Sequence, residues 1–160
     1  WSQPCPNAAE LDDGHLNIPA GVVHIDDGDP YPANCDTVTS IGFPSTLEAI
    51  GDRAFKSYTS LKSLDLAAAQ KLTRIGYAAF QDTGLESIDL TTTNVTRIER
   101  LTFHGCRSLA AVTLPAALRK IGDHSFRDCG ALTSLAFPVT LEEMGNFAFY
   151  NRINRIFFLK

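Results

Sequence analysis

A phenylalanine preceded by a small residue recurs along the chain at almost constant spacing. The steps between these phenylalanines are 25, 23, 23 and 23 residues, in the pairs Ala54-Phe55, Ala79-Phe80, Thr102-Phe103, Ser125-Phe126 and Ala148-Phe149. Five residues before each phenylalanine stands an aliphatic anchor, usually followed by glycine, in Ile50-Gly51, Ile75-Gly76, Ile98-Glu99, Ile121-Gly122 and Met144-Gly145. A fixed period of this length predicts a repeat protein in which each unit packs on its neighbours.

An L-x-x-L-x-L phrase follows each phenylalanine, as in Leu61/Leu64/Leu66. Its last two apolar residues are two apart, so both point to one face of a strand. One strand cannot bury that face alone, and successive copies are expected to stack as parallel strands ~4.8 Å apart. The residues after the anchor, such as 52–58, have helical spacing. We therefore predict an α/β repeat solenoid: a parallel β-sheet of about six to seven short strands, with short helical turns or irregular segments opposite.

Residues 121–138 carry the pattern I-G-x-x-A-F-x-x-C-x-x-L-x-x-L-x-L-P almost letter for letter, at Ile121, Gly122, Phe126, Cys129, Leu132, Leu135 and Pro138. In this pattern the chain resembles the BspA-like class of leucine-rich repeats, from about residue 36 to the end and more loosely over 14–35. Members of that family are mostly secreted or surface proteins that adhere to host or matrix molecules or serve as recognition ectodomains. The resemblance implies a binding role, but the repeat is a scaffold motif and carries no ligand signature.

The two ends of the chain depart from the repeat. Residues 1–35 are irregular and predict an N-terminal cap with a degenerate first repeat, followed by BspA-like repeats over 36–160. The run Ile156-Phe157-Phe158-Leu159-Lys160 forms an apolar strand edge, which is a pairing hazard unless covered. We expect this edge to be truncated or to pack on a partner or on another copy. Because the first residue is Trp1 rather than Met, we also expect that an upstream segment has been removed.

Composition and charge exclude several classes of function. With a net charge of −4, the chain lacks the clustered Lys and Arg that a nucleic-acid or anionic-membrane surface demands. No apolar run approaches the ~20 residues of a membrane helix. The four histidines are scattered, and no spacing typical of a metal site, a catalytic nucleophile or a phosphate-binding loop is present. We predict a non-enzymatic protein without cofactor or metal.

The outward positions of the predicted sheet form the first candidate binding surface. They are Ser63, Asp65, Ser87, Asp89, Thr113, Ser134 and Phe157. Asp65 and Asp89 are expected side by side, one strand apart, where like charges repel. A bound Ca²⁺ would relieve that repulsion, but two carboxylates alone make a poor site, so two solvated aspartates are the favoured interpretation.

A second candidate surface is a possible anion stripe at Arg74, Arg97 and Lys120, which share the position just before the aliphatic anchor. Three cations on adjacent repeats would hold a sulfated glycan or a phosphate. They would equally be solvated if neighbouring acids such as Glu99 and Glu143 dilute the charge.

Cysteines and a sequon add three expectations. Cys106 and Cys129 occupy the same register 23 residues apart; buried free thiols are favoured there, in line with the core cysteine of the resembling family, and a disulfide is the alternative. Cys5 and Cys35 flank the predicted cap, and a disulfide between them would staple a region with little core. Asn94-Val95-Thr96 is a glycosylation sequon.

The leading functional prediction is a recognition module, adhesin-like or receptor-ectodomain-like, that binds a protein or glycan through the sheet face of the solenoid. The alternative is a structural accessory subunit, permanently docked in a larger assembly through its C-terminal apolar edge. The proline- and cysteine-bearing N-terminus and the sequon favour a secreted or cell-surface protein, with an organelle lumen after removal of a targeting peptide as the second choice.

Overall fold

The computed structural model describes residues 11–28 and 35–150, together with the backbone of 155–158. Within this part, the strands alternate between two sides of a solenoid and pair in parallel with their counterparts one repeat away. The front side carries β1 (His15–Asn17), β3 (Ser40–Gly42), β5 (Ser63–Asp65), β7 (Ser87–Asp89), β9 (Ala111–Thr113), β11 (Ser134–Phe137) and β13 (Arg155–Phe158). The flank carries β2 (His24–Ile25), β4 (Ala49–Ile50), β6 (Arg74–Ile75), β8 (Arg97–Ile98), β10 (Lys120–Ile121) and β12 (Glu143–Met144).

Each repeat therefore makes one rung of the solenoid, with one front strand and one flank strand. We number the rungs so that rung 1 holds β1 and β2, rung 6 holds β11 and β12, and β13 begins rung 7. Equivalent positions face each other across a rung boundary: His15 pairs with Ser40, and Ile121 pairs with Met144. This register follows from the repeat, because a slip of one residue would turn the buried anchors outwards.

The recurring phenylalanines form a continuous stack through the core. Phe55, Phe80, Phe103, Phe126 and Phe149 stack nearly parallel, with centroid separations of 5.4, 5.7, 5.3 and 5.2 Å in chain order. The aliphatic anchors Ile50, Ile75, Ile98 and Ile121 are fully buried beside them. The predicted parallel-strand solenoid and its core are confirmed.

Of the two alternatives predicted opposite the sheet, short helical turns are not found, because no helix occurs in the described part of the chain, and irregular segments lie there instead. Residues such as Arg53 and Ser57 adopt left-handed backbone angles, with φ of 57° and 62°, which interrupt a right-handed helix. Alternate backbone N–H groups bond to the next rung, while those between them close turns within their own rung, as Gln81 N does to Ala78 O at 3.1 Å. Phe80 N, for example, donates to Thr102 O at 3.0 Å. We call this third side of the solenoid the turn side.

The glycines after the anchors are required by close approach between rungs, not by a left-handed turn. Positive φ is confined, among the described glycines, to Gly14, Gly21 and Gly105. A Cβ at Gly122 would lie 2.6 Å from Arg100 N and 2.8 Å from Glu99 C, both backbone atoms of the preceding rung. The glycines after the anchors are therefore explained by packing between rungs.

The two ladders are interrupted at defined boundaries. On the front, hydrogen-bonded pairing links β1-β3-β5, then β7-β9, then β11-β13. On the flank, pairing links β2-β4-β6 and then β8-β10-β12. Between rungs 3 and 4, both ladders are interrupted together.

Candidate binding faces

The front face presents small and acidic side chains to solvent. Ser63 and Asp65 on β5 are exposed, as are Ser87 and Asp89 on β7. Thr113 on β9 and Ser134 on β11 continue this surface. Phe157 lies on β13, where its side chain is outside the described part of the structure.

Asp65 and Asp89 each hold the backbone that follows their own strand. Asp65 Oδ1 accepts a hydrogen bond from Ala67 N at 3.0 Å, and Asp89 Oδ1 accepts one from Thr91 N at 2.9 Å. These are short side-chain-to-backbone turns of the kind that Asp favours at the end of a strand. Within the described residues, no three His, Cys, Asp or Glu side chains come close enough together to hold a metal ion. Both carboxylates thus have a structural role that the sequence analysis did not identify.

A polar cluster at the rung 1 end of the front face was also missed. His15 Nδ1 lies 2.7 Å from Ser40 Oγ, and His15 Nε2 lies 3.2 Å from Asn17 Oδ1. Gly42 makes room for this cluster, because a Cβ there would lie 2.9 Å from Asn17 Oδ1 and 3.2 Å from His15 Nε2. Aligning β1 with β3 would have indicated this cluster, because that register places His15 directly beside Ser40.

The three cations of the predicted anion stripe share one register on the flank, and each has an acidic neighbour. Arg74 Nη2 donates to Asp52 Oδ1 at 2.6 Å, and Lys120 Nζ donates to Glu143 Oε1 at 2.5 Å. Arg97 is the least compensated, with its Nε 3.7 Å from Glu99 Oε1. A depression of about 270 Å³ adjoins this region, lined by Thr96, Arg97, Arg119, Lys120, Glu142 and Glu143. Charge on the flank is largely balanced by these pairs.

Cys106 and Cys129 are free thiols buried in successive rungs. Cys106 Sγ donates to Phe80 O and Cys129 Sγ donates to Phe103 O, each at 3.1 Å. Burial raises the pKa of the Cys106 thiol to about 11, against a lowering by its hydrogen bond to Thr83. Burial also raises the pKa of Cys129. Both cysteines therefore act as protonated core residues, as the buried-thiol interpretation predicted.

The predicted Cys5–Cys35 disulfide involves Cys5, which lies outside the described residues; Cys35 itself is buried. Asn94 is exposed after β7, and its Nδ2 donates to Gln70 O at 2.6 Å. The side chain of the sequon residue thus bonds across the boundary between rungs 3 and 4.

Among the residues whose side chains are described, the largest exposed apolar ones lie on rung 6. Phe147 is 61% exposed and Tyr150 is 49% exposed. Phe147 stacks on the His124 ring of the preceding rung, with centroids 5.4 Å apart, and Arg127 lies over the Tyr150 ring at 5.3 Å. The sequence analysis placed an apolar edge further along the chain, at 156–160, and did not identify this surface.

Comparison with known proteins places the repeats in a known class. A family model described as a BspA type leucine rich repeat region, in six copies, matches residues 31–155. A search of curated proteins found no match. No described helix is long and apolar enough to cross a membrane.

Three solved structures share the fold. A leucine-rich cell surface protein from Faecalibacterium prausnitzii A2-165 is 25% identical, with a TM-score of 0.55, over 91% of this chain and 48% of that one. The leucine-rich repeat protein of T. pallidum is 24% identical, with a TM-score of 0.53, over 85% of this chain and 53% of that one. One from Bacteroides ovatus ATCC 8483 is 18% identical, with a TM-score of 0.54, over 92% and 66%. The chain spans about half the length of the first two.

Proposed function

The chain belongs to the BspA-type leucine-rich repeat family, and we propose that it is a non-enzymatic recognition module that binds a protein or glycan through its front face. The observation that carries this proposal is the run of exposed small side chains on successive front strands, from Ser63 on β5 to Ser134 on β11. Small side chains allow a partner to approach the backbone closely, and they lose little side-chain entropy on binding. The solenoid supplies a rigid array of such positions at a fixed spacing.

The charges on the flank favour the front face as the ligand-binding surface. The flank cations Arg74 and Lys120 already form short ion pairs with Asp52 and Glu143, so an anionic ligand there would have to displace an existing partner. Binding a sulfated glycan or phosphate along this stripe remains the secondary use of the flank, centred on the loosely paired Arg97. The front face requires no such displacement around Ser87, Thr113 and Ser134.

We also propose that the protein lies outside the cell. The F. prausnitzii relative is a cell surface protein, and the family commonly comprises surface or protein-interaction proteins. We extend a secreted or cell-surface location to this chain, with an organelle lumen as the second choice. A glycan on the exposed Asn94 and a disulfide between Cys5 and Cys35 belong to the same proposal.

The test pairs two threonines of similar exposure on different faces. The wild-type protein is screened against a glycan array and a panel of extracellular proteins, and every binder is retested with two variants. Thr113→Trp places a bulky ring on the front face, and Thr73→Trp places the same ring on the flank, outside the sequon. Loss of binding by at least about tenfold with Thr113→Trp alone supports the front face, since a central steric block removes interface contacts worth more than ~1.4 kcal/mol. Equal binding by both variants would contradict it.

A second function, permanent docking in a larger assembly, is favoured by a different observation. Phe147, Tyr150 and Met144 are exposed on rung 6, the last rung whose side chains are described, and either a further rung or a partner protein would cover them. The predicted C-terminal docking edge at 156–160 lies outside the described side chains, so this proposal rests on rung 6. A monomer in size-exclusion chromatography with light scattering, unchanged by Phe147→Ser, would count against docking on another copy. A co-purifying partner that Phe147→Ser releases would support it.

A further inference from the structure

Within the described rungs, the boundary between rungs 3 and 4 lacks a ladder on both the front and the flank, whereas the boundary between rungs 5 and 6 lacks only the front ladder. On the front, β5 and β7 do not form a ladder, although β3 pairs with β5 and β7 pairs with β9. On the flank, β6 and β8 do not form a ladder, although β4 pairs with β6 and β8 pairs with β10. Leu64, the inward residue of β5, is only partly buried at this gap, whereas its counterparts Ile41 and Ile88 are buried.

The flank interruption coincides with a change in the repeat. Glycine follows the anchor in rungs 2, 3, 5 and 6, and its backbone N–H donates to the anchor carbonyl of the preceding rung, as Gly76 N does to Ile50 O at 2.9 Å. Glu99 takes this position in rung 4, and no matching bond joins Glu99 N to Ile75 O, both of which are described residues. A Cβ at the equivalent Gly76 would lie 2.6 Å from a backbone carbon of the preceding rung. The Cβ of Glu99 therefore prevents the backbone of rung 4 from packing on rung 3 as closely as the glycines allow elsewhere. We call this Cβ the wedge.

A second bond between rungs is missing at the same boundary. Asp52 Oδ1 accepts a hydrogen bond from Tyr77 N at 2.9 Å across the boundary between rungs 2 and 3. One rung later, Tyr77 itself stands at the aspartate position and offers no carboxylate to Arg100 N. The same bond is missing between rungs 4 and 5, where Arg100 takes the aspartate position although β8 and β10 pair. On the front, Asp65 and Asp89 hold equivalent positions on β5 and β7, and like charges placed directly opposite each other on neighbouring strands are destabilising.

The turn side of the boundary is intact. Ala78 N donates to Arg100 O at 3.1 Å and Asp82 N donates to His104 O at 2.8 Å, while Phe80 and Phe103 stack at 5.7 Å. Between the front and the flank, the exposed side chains of Thr92 and Asn94 bond to Leu66 O and Gln70 O. Two backbone bonds also cross this boundary outside the turn side: Glu86 N donates to Lys62 O at 3.0 Å, and Asn94 N donates to Leu72 O at 2.9 Å. Water competes with bonds made by exposed side chains, so they resist opening less than a buried backbone ladder does.

We propose that the boundary between rungs 3 and 4 is a hinge, at which rungs 1–3 and rungs 4–6 move as two blocks about the turn side. Opening widens the gap between β5 and β7, so the hinge runs through the middle of the front face, with Ser63 and Asp65 on one block and Ser87 and Asp89 on the other. The curvature of the front face changes with the hinge angle. This proposal concerns the free protein and does not depend on the identity of any ligand.

Hydrogen–deuterium exchange with mass spectrometry on the full chain tests the hinge. Peptides over β5 and β8 are expected to exchange faster than the equivalent peptides over β3 and β10, which lie at intact boundaries. Glu99→Gly removes the wedge and is expected to slow exchange around residues 97–101 about fivefold to tenfold, the factor that one net backbone hydrogen bond supplies. Glu99→Ala is the matched control, because it removes the charge and keeps the Cβ.

Two results would overturn the proposal. One is equal protection of the β5 and β8 peptides and their β3 and β10 counterparts in the wild-type protein, a comparison that needs no variant to fold. The other is an equal slowing of exchange by Glu99→Ala and Glu99→Gly, which would assign the effect to the charge rather than to the wedge.

Discussion

The carboxylate of Asp123 accepts a hydrogen bond from the backbone nitrogen of Asn146, one rung further along the solenoid, at 2.7 Å. We call this hydrogen bond, from a backbone nitrogen of one rung to an aspartate carboxylate of the preceding rung, the bracket. It also joins Asp52 N to Asp27 at 2.7 Å and Tyr77 N to Asp52 at 2.9 Å. In each case a side chain two residues after the anchor satisfies a backbone N–H that the flank ladder does not reach. The bracket joins rungs 1 and 2, rungs 2 and 3, and rungs 5 and 6, and it is absent where Tyr77 and Arg100 occupy the aspartate position in rungs 3 and 4.

Removing one bracket is expected to destabilise the protein measurably. Asp123→Ala leaves Asn146 N without its acceptor, and we expect a loss of about 1–2 kcal/mol in the free energy of unfolding. Asp123→Asn retains a side-chain oxygen at the same place and is expected to lose less than half as much. Urea denaturation of the two variants checks this, and equal losses would show that the negative charge, not the acceptor, stabilises the bracket.

Alanine substitutions at two glycines test whether close packing between rungs is the reason for glycine at the position after the anchor. Gly122→Ala would place its Cβ 2.6 Å from Arg100 N, so the rungs must separate, and we expect a loss of about 1–3 kcal/mol. At Gly130 the nearest atom to an added Cβ is Arg107 O at 3.9 Å, so Gly130→Ala is expected to be neutral within about 0.5 kcal/mol or slightly stabilising. Thermal unfolding of the two variants provides the comparison. A Gly122→Ala variant as stable as Gly130→Ala would contradict the packing argument.

The phenylalanine stack is expected to dominate stability. Phe103 is fully buried between Phe80 and Phe126, and Phe103→Ala should cost about 3–5 kcal/mol because it leaves a cavity in the core. Phe147→Ala removes the same atoms from an exposed position and should cost less than about 1 kcal/mol. Chemical denaturation monitored by far-UV circular dichroism measures both. Similar costs would mean that Phe147 is buried in solution.

The buried thiols predict a loss of stability at alkaline pH. Burial raises the pKa of Cys106 to about 11, from 9.0 for an exposed thiol. The contribution of the protonated Cys106 thiol to the free energy of unfolding is therefore complete below about pH 9. It is lost as pH rises towards about 11, because the unfolded chain then releases a proton that the folded chain keeps. The slope is about 1.4 kcal/mol per pH unit and per thiol, and Cys129 acts in the same direction.

A double variant isolates this effect from the other groups that titrate in alkali. Thr83 occupies the equivalent position one rung earlier, so Cys106→Thr with Cys129→Thr provides a non-ionising replacement that the repeat accepts. Free energies of unfolding at about pH 8 and about pH 10.5 should fall more for the wild type than for the double variant. Equal falls in both proteins would contradict the assignment to the thiols.

The parts of the fold that were predictable are those that depend on periodic burial. The spacing of Phe55 to Phe149 set the length of the rung, and the L-x-x-L-x-L phrase distinguished inward residues such as Leu135 from exposed ones such as Ser134. Both signals reflect the hydrophobic effect, which acts on side-chain type and is visible in one sequence. The exposure of Ser63, Asp65, Ser87 and Asp89 followed from the same alternation.

Other features depend on backbone geometry that side-chain type does not reveal. Positions 52–58 have helical spacing, yet left-handed angles at Arg53 and Ser57 direct their N–H groups to the next rung. The two-residue flank strands are too short to show an alternating pattern, and their pairing was not anticipated. The exception Glu99 was visible in the sequence, but its consequence for the ladder required the distances around Gly76 and Gly122.

Because Phe80 N bonds to Thr102 O and Phe103 N bonds to Ser125 O, equivalent atoms make the contact on both sides of a rung. A rung bounded by equivalent positions can therefore be deleted or duplicated, and the newly adjacent rungs meet through the same set of bonds. Gene duplication within the repeat would lengthen the protein without requiring a new core, and unequal crossing-over would shorten it. In such a lineage the number of rungs is free to vary, while the step between successive core phenylalanines stays close to the 23 residues that separate Phe80 from Phe103.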